Sequence, residues 1–268
     1  MRILCSMPGK FGDVLWSMVV CRAISQTYGV PVDFVLSKET PSILPLLQQQ
    51  PYIGKAWQVD PWHDHPTELG AQIRPSVALE GYDRVFHLSY RGWPTYTLPR
   101  EIYRNAEIAY TRSEGELARL DLDTPWITSR TSRDDIEIAV GFSDEWFELK
   151  YGICELLRAN HALTRIFPKG SRWDMESYRV AEGSNWVDAA AKIKKAKFFL
   201  GCCSALHVLA CALGKSVVMV EPNAARHNPI FYPYGKTGRV HLVCGNDGLP
   251  THDSRHVREA LLSTREQR

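Results

Sequence analysis

A turn of small residues between an apolar run and a second, longer apolar segment could hold a phosphate. Residues 201–204 read Gly-Cys-Cys-Ser, and the apolar segment 205–213 follows them directly. Small residues let the chain turn tightly and approach a ligand closely. The N–H groups at the start of a helix bind anions. The pattern therefore predicts an anion site at Cys203, Ser204 and Ala205, most simply for a phosphate.

Three further side chains belong to this predicted site. Lys169 and Arg172 lie in the basic loop 168–172, after an apolar run. As cations they are candidate charge sinks for an anionic ligand at this site. His207 lies one turn inside the predicted helix. A contact with the ligand and a simple bond to a neighbouring backbone group are both open for it.

A second turn, Pro8-Gly9-Lys10-Phe11-Gly12-Asp13, carries a carboxylate. A carboxylate in the first turn of a helix caps free N–H groups and suits the helix dipole. The same carboxylate at the carboxyl edge of a sheet can act as a general base on a ligand. Asp13 is therefore the candidate catalytic residue, with helix capping as the alternative. Lys10 and Gly12 are the neighbouring candidates for substrate binding.

Aromatic and basic residues crowd the loop 89–96. Stacking on Tyr90 or Trp93 would suit a sugar or a base, which makes this loop a candidate acceptor surface. A packed loop is the alternative.

No cofactor and no metal are expected. Gly9 and Gly12 do not complete the Gly-x-Gly-x-x-Gly fingerprint, which argues against a nicotinamide cofactor. His63, Asp64 and His65 lie on a Pro-flanked loop and are interpreted as polar surface rather than metal ligands.

The elements that position these residues form two copies of one plan. Strand, helix and strand are predicted at 2–6, 14–28 and 32–36, and again at 198–200, 205–213 and 216–220. Each copy is a right-handed crossover with its turn at the carboxyl edge of a parallel sheet. The sequence therefore predicts an α/β protein with two Rossmann-like parallel-sheet lobes.

The stretch 121–135, rich in Asp, Thr, Ser and Pro, is the predicted linker. It separates a first lobe at residues 1–125 from a second lobe at residues 136–268. The 268 residues are 44% hydrophobic and 23% charged, with a formal net charge of +2. We expect a cytoplasmic protein with reduced cysteines and no transmembrane segment.

Two stretches resemble the signatures of lipopolysaccharide heptosyltransferases. The first is Lys10-Phe11-Gly12-Asp13-Val14-Leu15, which is similar to the family's Gly-Asp-hydrophobic-hydrophobic turn. The second runs from Ala196 to His207 and on through Ala212-Leu213-Gly214-Lys215 to Glu221-Pro222. The family has Asp-Thr-Gly where this chain has Cys202-Cys203-Ser204. The resemblance implies the GT-B type of fold, in which two lobes face a central cleft. It also implies an acceptor on the first lobe and a nucleotide-sugar on the second.

The leading hypothesis is a glycosyltransferase that moves a sugar from a nucleotide-diphosphate sugar to an acceptor hydroxyl. A carboxylate base and cationic side chains fit a transfer that inverts the configuration of the sugar and needs no metal. The acceptor is a carbohydrate or a nucleic acid. One alternative is a related transferase that glycosylates a modified base in DNA. Another is a non-catalytic nucleotide-sugar-binding module, which the Cys202-Cys203 substitution favours.

Overall fold

The computed structural model divides the chain into two compact units, Met1–Trp126 and Ile127–Arg268. The structure describes residues 1–7, 11–37, 43–59, 80–88, 138–141, 163–165, 186–201, 204–220 and 240–243. The limits 1–125 and 136–268 stay a prediction, because residues 89–137 lie outside the described ranges.

The first unit contains a parallel sheet whose central strand is wholly buried. Its strands are β1 (Ile3–Met7), β2 (Val32–Ser37), β3 (Ile53–Val59) and β4 (Arg84–His87), in the order β3-β2-β1-β4. Every pairing is parallel. All five residues of β1 are buried, as a strand covered on both faces requires.

Helix α1 (Phe11–Tyr28) packs on one face of this sheet, and the short α2 (Leu44–Gln48) precedes β3. Most residues in the first three turns of α1 are buried, whereas Gln26 and Thr27 in its last turn are exposed. The helix begins at Phe11. The prediction that the turn extends to Asp13 is therefore corrected: Gly12 and Asp13 are helical, and Asp13 lies in the first turn, where the dipole favours a carboxylate.

A hydrogen-bonded cluster closes the amino end of the same sheet. Asp33 on β2 accepts a bond from the Lys55 backbone N–H, 2.9 Å, and one from the Tyr82 hydroxyl, 2.8 Å. The Arg2 guanidinium lies 3.6 Å from the same carboxylate. These contacts join β2, β3 and the residues before β1 and β4. They therefore stabilise the sheet at the amino ends of its strands, opposite the carboxyl edge.

The second unit repeats the plan with a larger parallel sheet. Its elements are β5 (Ile138–Gly141), β6 (Leu163–Arg165), α3 (Trp186–Lys195), β7 (Phe198–Gly201), α4 (Ala205–Ala212), β8 (Ser216–Val220) and β9 (Val240–Val243). The strand order is β6-β5-β7-β8-β9, and every pairing is parallel.

Helix α4 is apolar on all sides and ends in a Schellman motif. The Lys215 N–H bonds to the Ala210 carbonyl and the Gly214 N–H to the Cys211 carbonyl. Gly214 has φ +69°, the left-handed conformation that this motif requires and that glycine adopts without strain. The Lys215 ammonium also donates to the Ala196 carbonyl, 2.7 Å, which ties the end of α4 to the turn after α3.

The predicted α/β class with two Rossmann-like parallel sheets is confirmed. The predicted strands and helices recur within a few residues of their expected bounds wherever the structure describes them. The sequence also predicts helices at 99–112, 144–159, 173–182 and 253–266, and these four ranges lie outside the residues that the structure describes.

Candidate functional site

The first unit has a topological switch point between β1 and β4. The chain leaves β1 through α1 to reach β2 on one side, whereas β4 pairs with β1 on the other side. Ligands of open parallel sheets bind outside the carboxyl ends of the strands at such a point. The residues that follow β1 and end β4 are therefore the candidates for a site in this unit.

Asp13 follows the carboxyl end of β1. It is partly exposed in the first turn of α1 and is followed by the buried Val14, Leu15 and Trp16. Burial of the next turn fixes this end of the helix against the sheet. The carboxylate is thus held at the sheet edge that binds ligands in this class of fold.

A serine and a histidine contact each other at the switch point itself. Ser6 on β1 pairs in register with His87, the last residue of β4. The Ser6 hydroxyl oxygen lies 3.3 Å from His87 Nδ1, which is within hydrogen-bonding distance. Ser6 is buried, while His87 is partly exposed. The Leu88 N–H donates to the Ser6 carbonyl, 2.8 Å, and extends the pairing past the strand end.

The second unit has its switch point between β5 and β7. The chain passes from β5 to β6 on one side, and β7 pairs with β5 on the other. The paired residues at this edge are Gly141 and Gly201. Since glycine has no Cβ, a ligand can approach the backbone closely at both strand ends.

Ser204 lies at the N-cap of α4, beyond the end of β7. Its backbone is extended, with φ −156° and ψ 168°, and its side chain makes no capping hydrogen bond. Its hydroxyl oxygen is buried and has no hydrogen-bond partner among the residues that the structure describes. A buried hydroxyl without a partner costs about 1–3 kcal/mol. An acceptor atom of a bound ligand would remove that cost.

His207 lies in the first turn of α4 with its ring buried. Nδ1 is 3.0 Å from the Ser204 carbonyl oxygen, so the neutral ring carries its proton on Nδ1 and donates it there. Burial lowers the pKa of His207 to about 4, while the bond to Ser204 acts in the opposite direction. The ring is therefore neutral at pH 7 and adds no positive charge to the helix start.

The structure describes five of the residues that the sequence assigns to substrates. Gly12 and Asp13 lie together in the first turn of α1, and Ser204, Ala205 and His207 lie together at the start of α4. The remaining candidates lie outside the described residues: Lys10, Tyr90, Trp93, Lys169, Arg172 and Cys203. Their roles stay predictions, as does the interpretation of residues 63–65 as polar surface.

Sequence reasoning missed the two pairings at the strand ends. It gave no site role to His87 or to Gly141. Both residues become site candidates through pairing with distant strands, Ser6 with His87 and Gly141 with Gly201. A glycine after an apolar run was the one local signal for Gly141. For His87, no local signal exists.

No protein-family model matches the chain, and no curated protein matches it by sequence. Solved structures do match. A glycosyl transferase family 9 protein from Veillonella parvula superposes with a TM-score of 0.68 at 12% identity, over 100% of this chain and 97% of that one. The ADP-heptose lipopolysaccharide heptosyltransferase II of E. coli gives 0.63 at 15% identity, over 100% and 99% of the chains.

A third solved structure, the E. coli heptosyltransferase WaaC with ADP-2-deoxy-2-fluoro heptose, gives a TM-score of 0.61 at 14% identity, over 98% and 99% of the two chains. At these identities the similarity establishes the fold. The chain thus has the fold of the heptosyltransferase structures. For the fold, this confirms the resemblance that its sequence shows to that family.

Metal centres and membrane spans are the two other kinds of site to consider. The described residues contain no cluster of three or more side chains that would hold a metal ion. Within the same ranges, no helix is both long enough and apolar enough to cross a bilayer.

Proposed function

We propose that this chain is a glycosyltransferase that moves a sugar from a nucleotide-diphosphate sugar to an acceptor hydroxyl. The observation that carries the proposal is the start of α4. A buried hydroxyl without a described partner and the first N–H groups of a helix lie together beyond the switch point of a parallel sheet. Such a helix start favours a phosphate.

The diphosphate of the donor is assigned to the second unit. The N–H groups of Ala205 and Leu206 have no carbonyl four residues earlier within α4, because intrahelical bonding begins with Val208 and Ser204. The Ser204 hydroxyl would donate to a phosphate oxygen. Gly141 and Gly201 leave room for the nucleotide along the strand ends. We assign the backbone at Cys203 to the same contact.

The charge of the diphosphate needs cations from elsewhere, since His207 is neutral. We assign this role to Lys169 and Arg172, which stabilise the leaving nucleoside diphosphate without a metal. His207 instead orders the helix start through its bond to the Ser204 carbonyl. It thereby keeps the Ser204 backbone in the geometry that directs the N–H groups at the ligand.

The first unit is assigned to the acceptor. Asp13 would take the proton of the acceptor hydroxyl as that oxygen attacks the anomeric carbon from the side opposite the leaving diphosphate, which gives inversion. Its partial exposure leaves the carboxylate within reach of a ligand. Lys10, Gly12, Tyr90 and Trp93 complete the proposed substrate contacts.

ADP- and UDP-sugars are the first donors to test. Since the E. coli heptosyltransferase II of the same fold is named for ADP-heptose, ADP-sugars are the first choice. No observation on the described residues favours a DNA acceptor or a non-catalytic module.

A donor and acceptor screen tests the proposal. Purified protein is incubated with a panel of ADP- and UDP-sugars and with glycosides as acceptors. Nucleoside diphosphate release and product mass are then measured. Asp13→Asn keeps the capping ability of the side chain but removes the base. It should lower turnover by about 10²–10⁴-fold with donor affinity unchanged.

Asp33→Asn is the matched control, because it removes a carboxylate at the opposite edge of the same sheet. It should weaken the fold and leave turnover per folded molecule unchanged. Wild-type turnover in folded Asp13→Asn protein would remove Asp13 from the mechanism. Absence of both donor binding and nucleotide release in the wild type would refute the proposed function.

A further inference from the structure

We propose that Cys5 of β1 and Cys21 of α1 form a disulfide under oxidising conditions, and that this bond is a redox-sensitive cross-link between the first helix and its sheet. The two thiols have no part in the proposed transfer reaction. The consequence of the cross-link for turnover, through Asp13 on the same helix, rests on the proposed function.

The first argument is that Cys5 faces α1. Cys5 pairs in register with Phe86 of β4, and residues paired in this way lie on the same face of a sheet. The Phe86 ring lies 6.1 Å from the ring of Tyr28 in α1. The side chain of Cys5 is therefore on the face of the sheet that α1 covers, where Cys5 is 0% exposed.

The second argument is that Cys21 lies on the side of α1 that faces the sheet. It precedes Tyr28 by about two helical turns, so the two side chains lie on one side of the helix. Cys21 is buried, as are Ser17 and Ile24, one turn before it and one turn after it. The strand register and the helix period thus bring the two thiols to the same interface independently.

The third argument is that the two thiols are in contact. The side chains of Cys5 and Cys21 are hydrogen-bonded to each other, and both are free thiols in the structure. Burial raises the pKa of the Cys21 thiol well above its ordinary value, and the contact with Cys5 raises it further. Because the thiolate is the reactive form of cysteine, the reduced pair reacts slowly while α1 stays packed on the sheet.

The reaction requires a transient opening of α1 and a low-molecular-weight disulfide such as glutathione disulfide. One protein thiol loses its proton, and its sulfur attacks a sulfur of glutathione disulfide. A protein–glutathione bond forms, and one glutathione leaves as its thiolate. The second protein thiol loses its proton and attacks the protein sulfur of this mixed disulfide, which releases the second glutathione. The two cysteines lose two electrons, and the two glutathione thiolates take up the two protons.

The disulfide changes the position of α1. Bonded sulfur atoms lie about 2.05 Å apart, which is shorter than a hydrogen-bonding contact, so the helix must move towards β1 as the bond forms. Most of the first three turns of α1 are buried, and a close-packed helix moves as a unit. Asp13 moves with the helix. A displacement of about 1 Å at a catalytic group costs about 10²-fold in turnover.

Peptide mapping detects the bond itself. The reduced protein is incubated with glutathione disulfide, the remaining thiols are blocked with N-ethylmaleimide, and the protein is digested with trypsin. Cleavage after Lys10 and Arg22 separates residues 3–10 from residues 11–22, so a linked pair of these peptides identifies the disulfide. The linked peptides should form faster in sub-denaturing urea, because α1 opens more often there.

The variants separate this pair from the other cysteines. Cys21→Ala should give no linked peptides, and Cys5→Ala removes the same pair should Cys21→Ala not fold. Cys211→Ala is the matched control, since it removes a buried cysteine from the second unit. It should form the linked peptides as the wild type does.

Hydrogen exchange and turnover measure what the cross-link does. In the oxidised wild type, amides of α1 that exchange through unfolding should exchange up to about 10²-fold more slowly, the effect of closing a loop of about 15 residues. Turnover should fall about 10- to 100-fold more in the wild type than in Cys21→Ala, and dithiothreitol should restore it. Donor affinity should not change, because the donor is assigned to the second unit.

Three outcomes would overturn the inference. They are an absence of linked peptides in the wild type even in urea, equal exchange of α1 in the reduced and oxidised proteins, and equal losses of turnover in the wild type and Cys21→Ala. The first two measurements need no donor. A wild-type protein that neither binds donor nor releases nucleotide would therefore refute the proposed function, whereas the peptides and the exchange rates decide the cross-link.

Discussion

Acidification should destabilise the second unit through the histidine of α4. His207 is 3% exposed, and burial lowers its pKa from 6.5 to about 4. Because the folded-state pKa lies below the unfolded one, the stabilisation is fully present above about pH 6.5. It is lost as the pH falls from there towards 4. Each pH unit crossed between the two values costs about 1.4 kcal/mol. Lowering the pH from 7.5 to 4.5 therefore removes about 2.5 kcal/mol of unfolding free energy.

Urea unfolding followed by circular dichroism at a series of pH values measures this loss. The reference is His207→Asn, whose amide can still donate to the Ser204 carbonyl but does not titrate. Carboxylates and other histidines titrate in both proteins, so their effects cancel in the difference. The wild type should lose about 2.5 kcal/mol more than the variant between pH 7.5 and 4.5. Parallel curves for the two proteins would show that folding does not lower the pKa of the ring, and would refute the buried neutral histidine at the helix start.

Two further predictions concern the helix cap and the amino edge of the first sheet. An ordinary N-cap Ser→Ala change costs about 1 kcal/mol, but Ser204 makes no capping bond, so Ser204→Ala should leave the melting temperature unchanged or raise it. The same change should weaken donor binding by about tenfold or more in calorimetric titration, since hydrogen bonds to charged groups contribute about 1.5–3 kcal/mol. A lower melting temperature with unchanged donor affinity would show that Ser204 only caps the helix. Burial and the bond to Asp33 raise the pKa of Tyr82 to about 12, so its stabilisation is present below pH 10 and is lost as the pH rises towards 12. Thermal melts of Tyr82→Phe should show a weaker alkaline decline than the wild type, and equal declines would contradict this.

The sequence predicts the elements because their burial follows simple patterns. A short apolar run such as Phe198–Gly201 is wholly buried, as expected for a parallel strand. The glycine that ends α4 adopts the positive φ that its position after an apolar helix indicates. The start of α1 at Phe11 was missed, because Gly12 suggests a turn although tertiary packing makes it helical.

The candidate site is only partly readable from the sequence. Asp13 and Ser204 lie at the starts of the helices that follow β1 and β7 along the chain, so local spacing predicts their positions. The Ser6–His87 contact joins residues far apart in sequence, through a strand pairing that no local pattern specifies. The pKa of His207 depends likewise on burial within the folded unit.

The central claim is that a nucleotide diphosphate binds at the start of α4, and a structure of the protein with ADP or UDP tests it most directly. We predict phosphate oxygens within about 3 Å of the Ala205 and Leu206 backbone nitrogens and of the Ser204 hydroxyl. The nucleoside should lie along the strand ends at Gly141 and Gly201. A diphosphate bound elsewhere, with the Ser204 hydroxyl still lacking a partner, would contradict the account.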